Sequence, residues 1–234
     1  MATKRVRARP GQGTQLREEI LRAAEELLGE AGTEEALTLR AVARRAGVST
    51  PSVYLHFADK DALLEAVCLR VWDELGYRMR EAAQRGDDPF FALACCGHAY
   101  VRFAVEYPVQ YRTLMMRPAT SEGVQSAASA CFAHLVDAVS ACVKAGLLRG
   151  DPGRLALGLW SAVHGCVSLL IAQPAFPWHE DVDVFVDDTI RMAGFGAALS
   201  SRIPRNAVPA SAVLSVELDA MVARLTGTGS ELPA

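Results

Sequence analysis

Apolar residues recur three and four apart along most of the chain, and no stretch alternates apolar with polar long enough to make a strand. Ile20, Leu21, Ala24, Leu27 and Leu28 share one face. They predict a helix from about Gln15 to Glu30, capped by Thr14 and stopped at Gly32. A second, shorter stripe of Leu39, Val42, Ala43 and Ala46 follows Thr38, a good N-cap. Gly47 supplies the left-handed backbone of a tight inter-helix turn, and Val48 plugs the angle between the helices. Ser49 caps the next helix, with Pro51 in its first turn, where a missing N–H costs little. Val53 and Phe57 point back into a small core, leaving Thr50, Ser52, Tyr54, Leu55 and His56 outside.

Beyond this helix-turn-helix, Asp59 caps a long helix from Lys60 to about Arg85. Asp88 and Pro89 restart the chain after Gly86 for a helix from Phe90 to Tyr107. Shorter or longer helices are expected over 109–116, 121–146, 152–172 and 180–199, nine in all. Beyond Ser200 the run at 203–209 reads as a linker, 211–225 as one more amphipathic helix, and the last eight residues as disordered. The fold class is therefore all-α: an N-terminal three-helix module and a larger C-terminal helical bundle.

Composition agrees: 51% of the residues are apolar and only 7% aromatic, with alanine abundant. A net charge of −3 argues against nucleic acid until its distribution is considered. Lys4, Arg5, Arg7, Arg9 and Arg17 carry +5 over residues 1–17 with no acid, which leaves −8 on the rest. A basic arm on an acidic body suits a protein that meets phosphate at one end; a solubilising N-terminus is the plain alternative. The arm runs into polar residues rather than an apolar stretch, so no export signal is expected. Residues 155–172 are interrupted by Ser161, His164 and Ser168 and read as a buried core helix rather than a membrane span. The expected location is the cytoplasm. Six cysteines (68, 95, 96, 131, 142 and 166) form no metal-ligand spacing and read as small core residues, a thiol sensor at Cys95–Cys96 being the alternative.

Residues 16–67 resemble the DNA-binding domain of the TetR family of bacterial transcription regulators. The matching run is Ile20-Leu-x-x-Ala24 with Leu27, then Leu39-x-x-Val42-Ala43, Ala46-Gly-Val-Ser49, Val53-Tyr-x-His-Phe57, Lys60 and Leu63-Leu64. The resemblance implies that Thr38, Tyr54, His56 and Lys60 touch phosphates. It also implies that Arg40, Thr50, Pro51, Ser52 and Leu55 face base edges of double-stranded DNA. Of these only Arg40 can grip a guanine edge with two bonds, while Pro51 and Leu55 suit thymine methyls. A solvated surface arginine and a histidine capping a helix end are the bland readings of Arg40 and His56.

Further along, Trp160-x-x-x-His164-Gly165 resembles the Trp/His/Gly signature of one TetR C-terminal subtype. Trp160 and His164 lie one turn apart on one helix face. They are either a packing motif or part of the wall of an effector pocket, for which Phe103, Tyr107, Tyr111, Met115 and Met116 are further candidates. The resemblance implies a homodimer through the helices at 152–172 and 180–199. Residues 1–13 would form the arm, 14–60 the DNA-binding domain, 61–200 the effector and dimerisation domain, and 201–234 a tail. No catalytic motif, metal site or cofactor is expected. The reading is a repressor released from a palindromic operator by a small apolar effector. A small-molecule binding protein with a vestigial helix-turn-helix is the alternative.

Overall fold

The computed structural model describes residues 12–116, 121–178, 181–204 and 206–227. Among the described residues there are ten α-helices, one 3-10 turn and no strand. The helices are α1 (Gln12–Ala31), α2 (Leu39–Arg45), α3 (Thr50–Tyr54), α4 (Lys60–Ala83) and α5 (Pro89–Glu106). They continue as α6 (Pro108–Met116), α7 (Glu122–Lys144), α8 (Pro152–Ala172), α9 (Val182–Ser200) and α10 (Ser211–Thr226). Residues up to 198 form one compact unit and 199–234 a second.

Local chemistry sets most of the boundaries. The side chains of Thr38, Ser49, Asp59, Asp88, Ser121 and Asp151 each accept a hydrogen bond from a backbone N–H two or three residues on. Each such cap contributes about 1 kcal/mol. Gly47 has φ +69°, in the left-handed region, and lets Val48 N donate to Ala43 O so that α3 can turn across α2.

Two expected boundaries move. α1 begins at Gln12 rather than Gln15, which puts Thr14 inside the helix. Leu16 packs on the core and Arg17 lies 5.1 Å over the Phe57 ring, so tertiary contacts hold the N-terminal part of this helix. Arg17 thus belongs to the helix, and residues 1–11 of the expected arm lie outside the described residues. At the other end, Asp181 Oδ1 accepts from Asp183 N and Val184 N, so α9 starts at Val182 and not at Glu180.

The long helix α4 is the spine, packing most extensively against α5 and α7. At its start Leu63, Leu64 and Val67 join Ile20, Leu28, Leu37, Val42 and Val53 in the core of the N-terminal helices. Farther along, Leu75 and Met79 enter the core shared with Cys96, Tyr100, Leu135, Val139, Leu159 and Val163. α6 lies under α1: Arg112 donates to Gly32 O at 3.5 Å, and Gln110 lies against Gly29. α7 and α8 are long and apolar enough to cross a membrane by length and composition. In the bundle they bury Cys131, Leu135, Val139, Ala156, Leu159 and Val163, while Leu157 and Leu169 of α8, expected as a buried core helix, stay exposed in the single chain.

Candidate functional site

The outer face of the helix-turn-helix is built on a rigid base. Leu39, Val42, Ala43, Val53 and Phe57 are buried beneath it, and Arg45 ties α2 to α1 through Glu26 and Glu30. On that base Thr38, Arg40 and Pro51 are exposed, Thr50, Ser52 and His56 are half-buried, and Tyr54 and Leu55 stand out at 56% and 77% exposure. A leucine three-quarters exposed beside an exposed tyrosine, over a well-packed core, is a surface that waits for a partner. Ser52 Oγ lies 2.7 Å from Ser49 Oγ, and Thr38 Oγ1 accepts from Ala41 N, which leaves its own O–H free to donate. Lys60 Nζ donates to Glu34 O at 2.6 Å and pins the 3-10 turn (Glu34–Ala36) to the start of α4. An ammonium has three donors, so this contact leaves room for a phosphate. Sequence reasoning passed over Arg44, exposed in the last turn of α2 beside the engaged Arg45.

In the bundle, α4, α5, α7, α8 and α9 surround a cavity of about 420 Å³. Its wall is almost wholly apolar and includes Met79, Phe90, Phe91, Leu159, Trp160 and Phe195. Gly194 allows the close approach of α9 to α5, because a Cβ there would stand 3.1 Å from the Phe90 ring. Such a volume lies within the range of small-molecule sites, about 300–1,000 Å³.

Behind Trp160 lies a polar cluster. Trp160 Nε1 donates to the Tyr100 hydroxyl at 3.2 Å, Tyr100 and Tyr111 hydroxyls are 3.0 Å apart, and both face His164 Nδ1, at 2.9 and 2.5 Å. Ser168 Oγ lies 3.4 Å from His164 Nε2. One assignment satisfies every donor: Trp160 N–H to Tyr100, Tyr100 O–H to Tyr111, Tyr111 O–H to Nδ1, and Nε2–H to Ser168. It requires a neutral imidazole, and burial pushes the His164 pKa down accordingly. Burial also raises the hydroxyl pKa values of Tyr100 and Tyr111, so both donate as neutral phenols.

Comparison with known proteins now bears on this geometry. Residues 20–67 match the model of bacterial regulatory proteins of the tetR family, and residues 93–193 match that of the tetracyclin repressor-like C-terminal domain. An uncharacterized HTH-type transcriptional regulator of Mycobacterium tuberculosis is 30% identical over 183 residues, covering 76% of this chain and 79% of its own. The chain belongs to the TetR family. The class C tetracycline repressor protein of Escherichia coli is 49% identical over 51 residues, 22% of this chain and 23% of its own. A Rhodococcus protein of unknown function has a solved structure that superposes with a TM-score of 0.68 at 26% identity, covering 84% of this chain and all of that one. TetR proteins are DNA-binding transcription regulators rather than enzymes, and they act as ligand-responsive dimers.

Within this TetR chain the sequence-derived effector candidates divide. Trp160 lines the cavity, and Tyr111 and His164 stand behind it in the polar cluster. Phe103 and Tyr107 border a different, polar groove with Glu25, Arg70, Asp73 and Glu74, and the Arg78 guanidinium lies over both rings. Met115 packs half-buried on the core, and the side chain of Met116 lies outside the described residues. Tyr100 was missed: its partners are 11, 60 and 64 residues away, beyond any local pattern. None of the six cysteines is in a disulfide; burial pushes Cys96 and Cys131 up to about 12, which makes them poor nucleophiles. Among the described residues no group of three His, Cys, Asp or Glu side chains is placed to hold a metal ion.

Proposed function

We propose that this chain is a repressor that sits as a homodimer on a palindromic operator and leaves it when a small apolar effector enters the bundle. The observation that carries this reading is the pairing of an exposed Tyr54–Leu55 tip with an apolar cavity reached by the same helix that follows that tip. Met79 of α4 is in the cavity wall and Lys60 starts the same helix. Nineteen residues separate them, about 28 Å of helix, so a shift of α4 at the cavity is felt at the DNA face.

Thr38, Tyr54, His56 and Lys60 would hold phosphates, with Arg40, Thr50, Pro51, Ser52 and Leu55 toward base edges and the basic N-terminal arm adding charge. The DNA-binding role is assigned to residues 14–60 and the effector and dimerisation role to 61–200, within the cytoplasm. Trp160, His164 and Gly165 would place the chain in the Trp-His-Gly subtype. In this reading Trp160 touches the effector, and His164 and Tyr111 pass its position to α6, which packs on α1. The dimer would form on α8 and α9, where Leu157, Leu169 and Met192 are exposed and a Cβ on Gly158 or Gly165 would meet nothing.

Coupling between the two sites demands that the effector prefer the conformation that does not fit DNA. Nile red, an apolar neutral probe, tests this in a variant with Trp72 and Trp178 replaced by Phe. The reading expects the remaining Trp160 emission to change as the probe binds, and affinity for duplex DNA to fall about 5–150-fold. Probe binding without any effect on DNA affinity would contradict it.

A further inference from the structure

The apolar cavity shares part of its wall with a second space. On the α5 side it meets a second cleft of about 470 Å³, and Cys95 and His98 belong to the walls of both. This cleft runs between the end of α4 and α5, lined by Arg78, Glu81, Arg85, His98 and Arg102. Chemistry therefore changes across this stretch of α5, from aromatic rings on the cavity side to guanidinium groups on the cleft side.

The charges on the two sides are not equally available. In the cavity, Asp88 Oδ1 already accepts from Phe90 N and Phe91 N, and Asp187 Oδ1 lies 3.3 Å from His98 Nε2. In the cleft, Arg78 is held by Glu74 and Glu106, and Glu81 is the one carboxylate in the lining. Arg85 and Arg102 make no ion pair within 4.0 Å among the described residues, and of the arginines acting on Glu106 it is Arg78, not Arg102, that holds its carboxylate. The committed acids and the uncommitted guanidinium groups select the sign of a ligand spanning both spaces.

We infer that the effector is an anionic amphiphile, its apolar body in the cavity and its carboxylate against Arg85 and Arg102. This rests on the effector reading above and adds the head group to it. A carboxylate would not enter the apolar cavity unpaired, because burying it there carries a heavy desolvation cost. In the cleft it gains charge-assisted hydrogen bonds while staying partly hydrated, and the planar guanidinium fork suits it. His98, turned to Asp187, marks the boundary between tail and head.

Decanoate, decanol and decyltrimethylammonium share one chain and differ in head charge. Titrated into the full-length protein by calorimetry below micelle-forming concentrations, decanoate should bind about tenfold or more tighter than decanol, with the ammonium weakest. An R85A/R102A double variant, shown folded by circular dichroism, should lose that advantage and keep the affinity for decanol. Equal affinity for decanoate and decanol, or decanoate binding untouched by the double variant, overturns the head-group assignment and leaves the cavity reading in place. If none of the three binds the unmodified protein, both fall together.

Discussion

The hydroxyl of Tyr111 on α6 meets Nδ1 of His164 on α8 at 2.5 Å, joining the helix under the DNA-binding module to the one that carries Trp160. The contact belongs to a chain that starts at the indole N–H of Trp160 in the cavity wall and ends at Ser168. Because every donor in it is satisfied with a neutral imidazole, removing the acceptor strands a buried hydroxyl. His164→Ala should therefore lower stability by about 1–3 kcal/mol, while His164→Gln, which keeps an acceptor, should cost less. Denaturant titration at pH 7.5 measures both; equal loss in the two variants would assign the cost to lost packing instead.

The same histidine predicts a pH dependence. Its folded pKa is depressed below the ordinary value of 6.5, so the unfolded chain binds the extra proton first. The contribution is present above pH 6.5 and is lost as pH falls through and below that value. Thermal melting between pH 8 and pH 5 should show a steeper acid loss in the unmodified protein than in His164→Gln. Superimposable curves would mean His164 titrates as it does in the unfolded chain.

Gly47 carries a second expectation. At φ +69° a side chain is strained even though a Cβ there would meet nothing. Gly47→Ala should cost about 1–2 kcal/mol through backbone strain alone and should weaken DNA binding by misplacing α3. Unchanged stability by chemical denaturation would show that the turn has another conformation available.

Gly165 offers the opposite case, a helical glycine facing open space in the single chain. Gly165→Phe should leave the fold of one chain intact and block the approach of a second. Sedimentation velocity at micromolar concentration should then give a monomer where the unmodified protein gives a dimer. A dimer that survives the substitution would place the interface away from this face of α8.

Much of this fold is legible in the sequence because its signals are local. A cap such as Thr38 or Asp88 bonds to a backbone N–H two or three residues on, and Gly47 turns where no other residue turns cheaply. The exposed face of the helix-turn-helix is legible for the same reason: once Val53 and Phe57 are assigned to the core, what remains of α3 must face out. The cavity is not legible, because its walls come from five helices whose pairing leaves no periodic trace. Tyr100 enters it through partners more than 50 residues away, and Phe103 and Tyr107, one and two turns farther along, are drawn to Arg78 instead. The first turn of α1 is not legible because the residues that follow it, Leu16 and Arg17, are held by tertiary contacts that leave no local pattern.

At the DNA face, Arg40→Ala should relax preference at one base pair in each half-site, at a cost of about 1–3 kcal/mol for the matched sequence. Lys60→Ala should instead weaken binding to all sequences alike and also lower stability, since its Nζ pins Glu34 O. Anisotropy titrations on matched and mismatched duplexes separate the two patterns. A sequence-specific loss from Lys60→Ala would reverse the assignment.

The central claim, a dimeric reader of duplex DNA, is tested most directly by selecting bound sequences from a random duplex pool with the full-length protein. The account predicts an inverted repeat whose half-sites are centred about one helical turn, roughly 34–36 Å, or a multiple of it apart. Binding to that repeat should weaken steeply as salt rises. A pool that yields no enriched sequence, or a single asymmetric site bound by one chain, would contradict it.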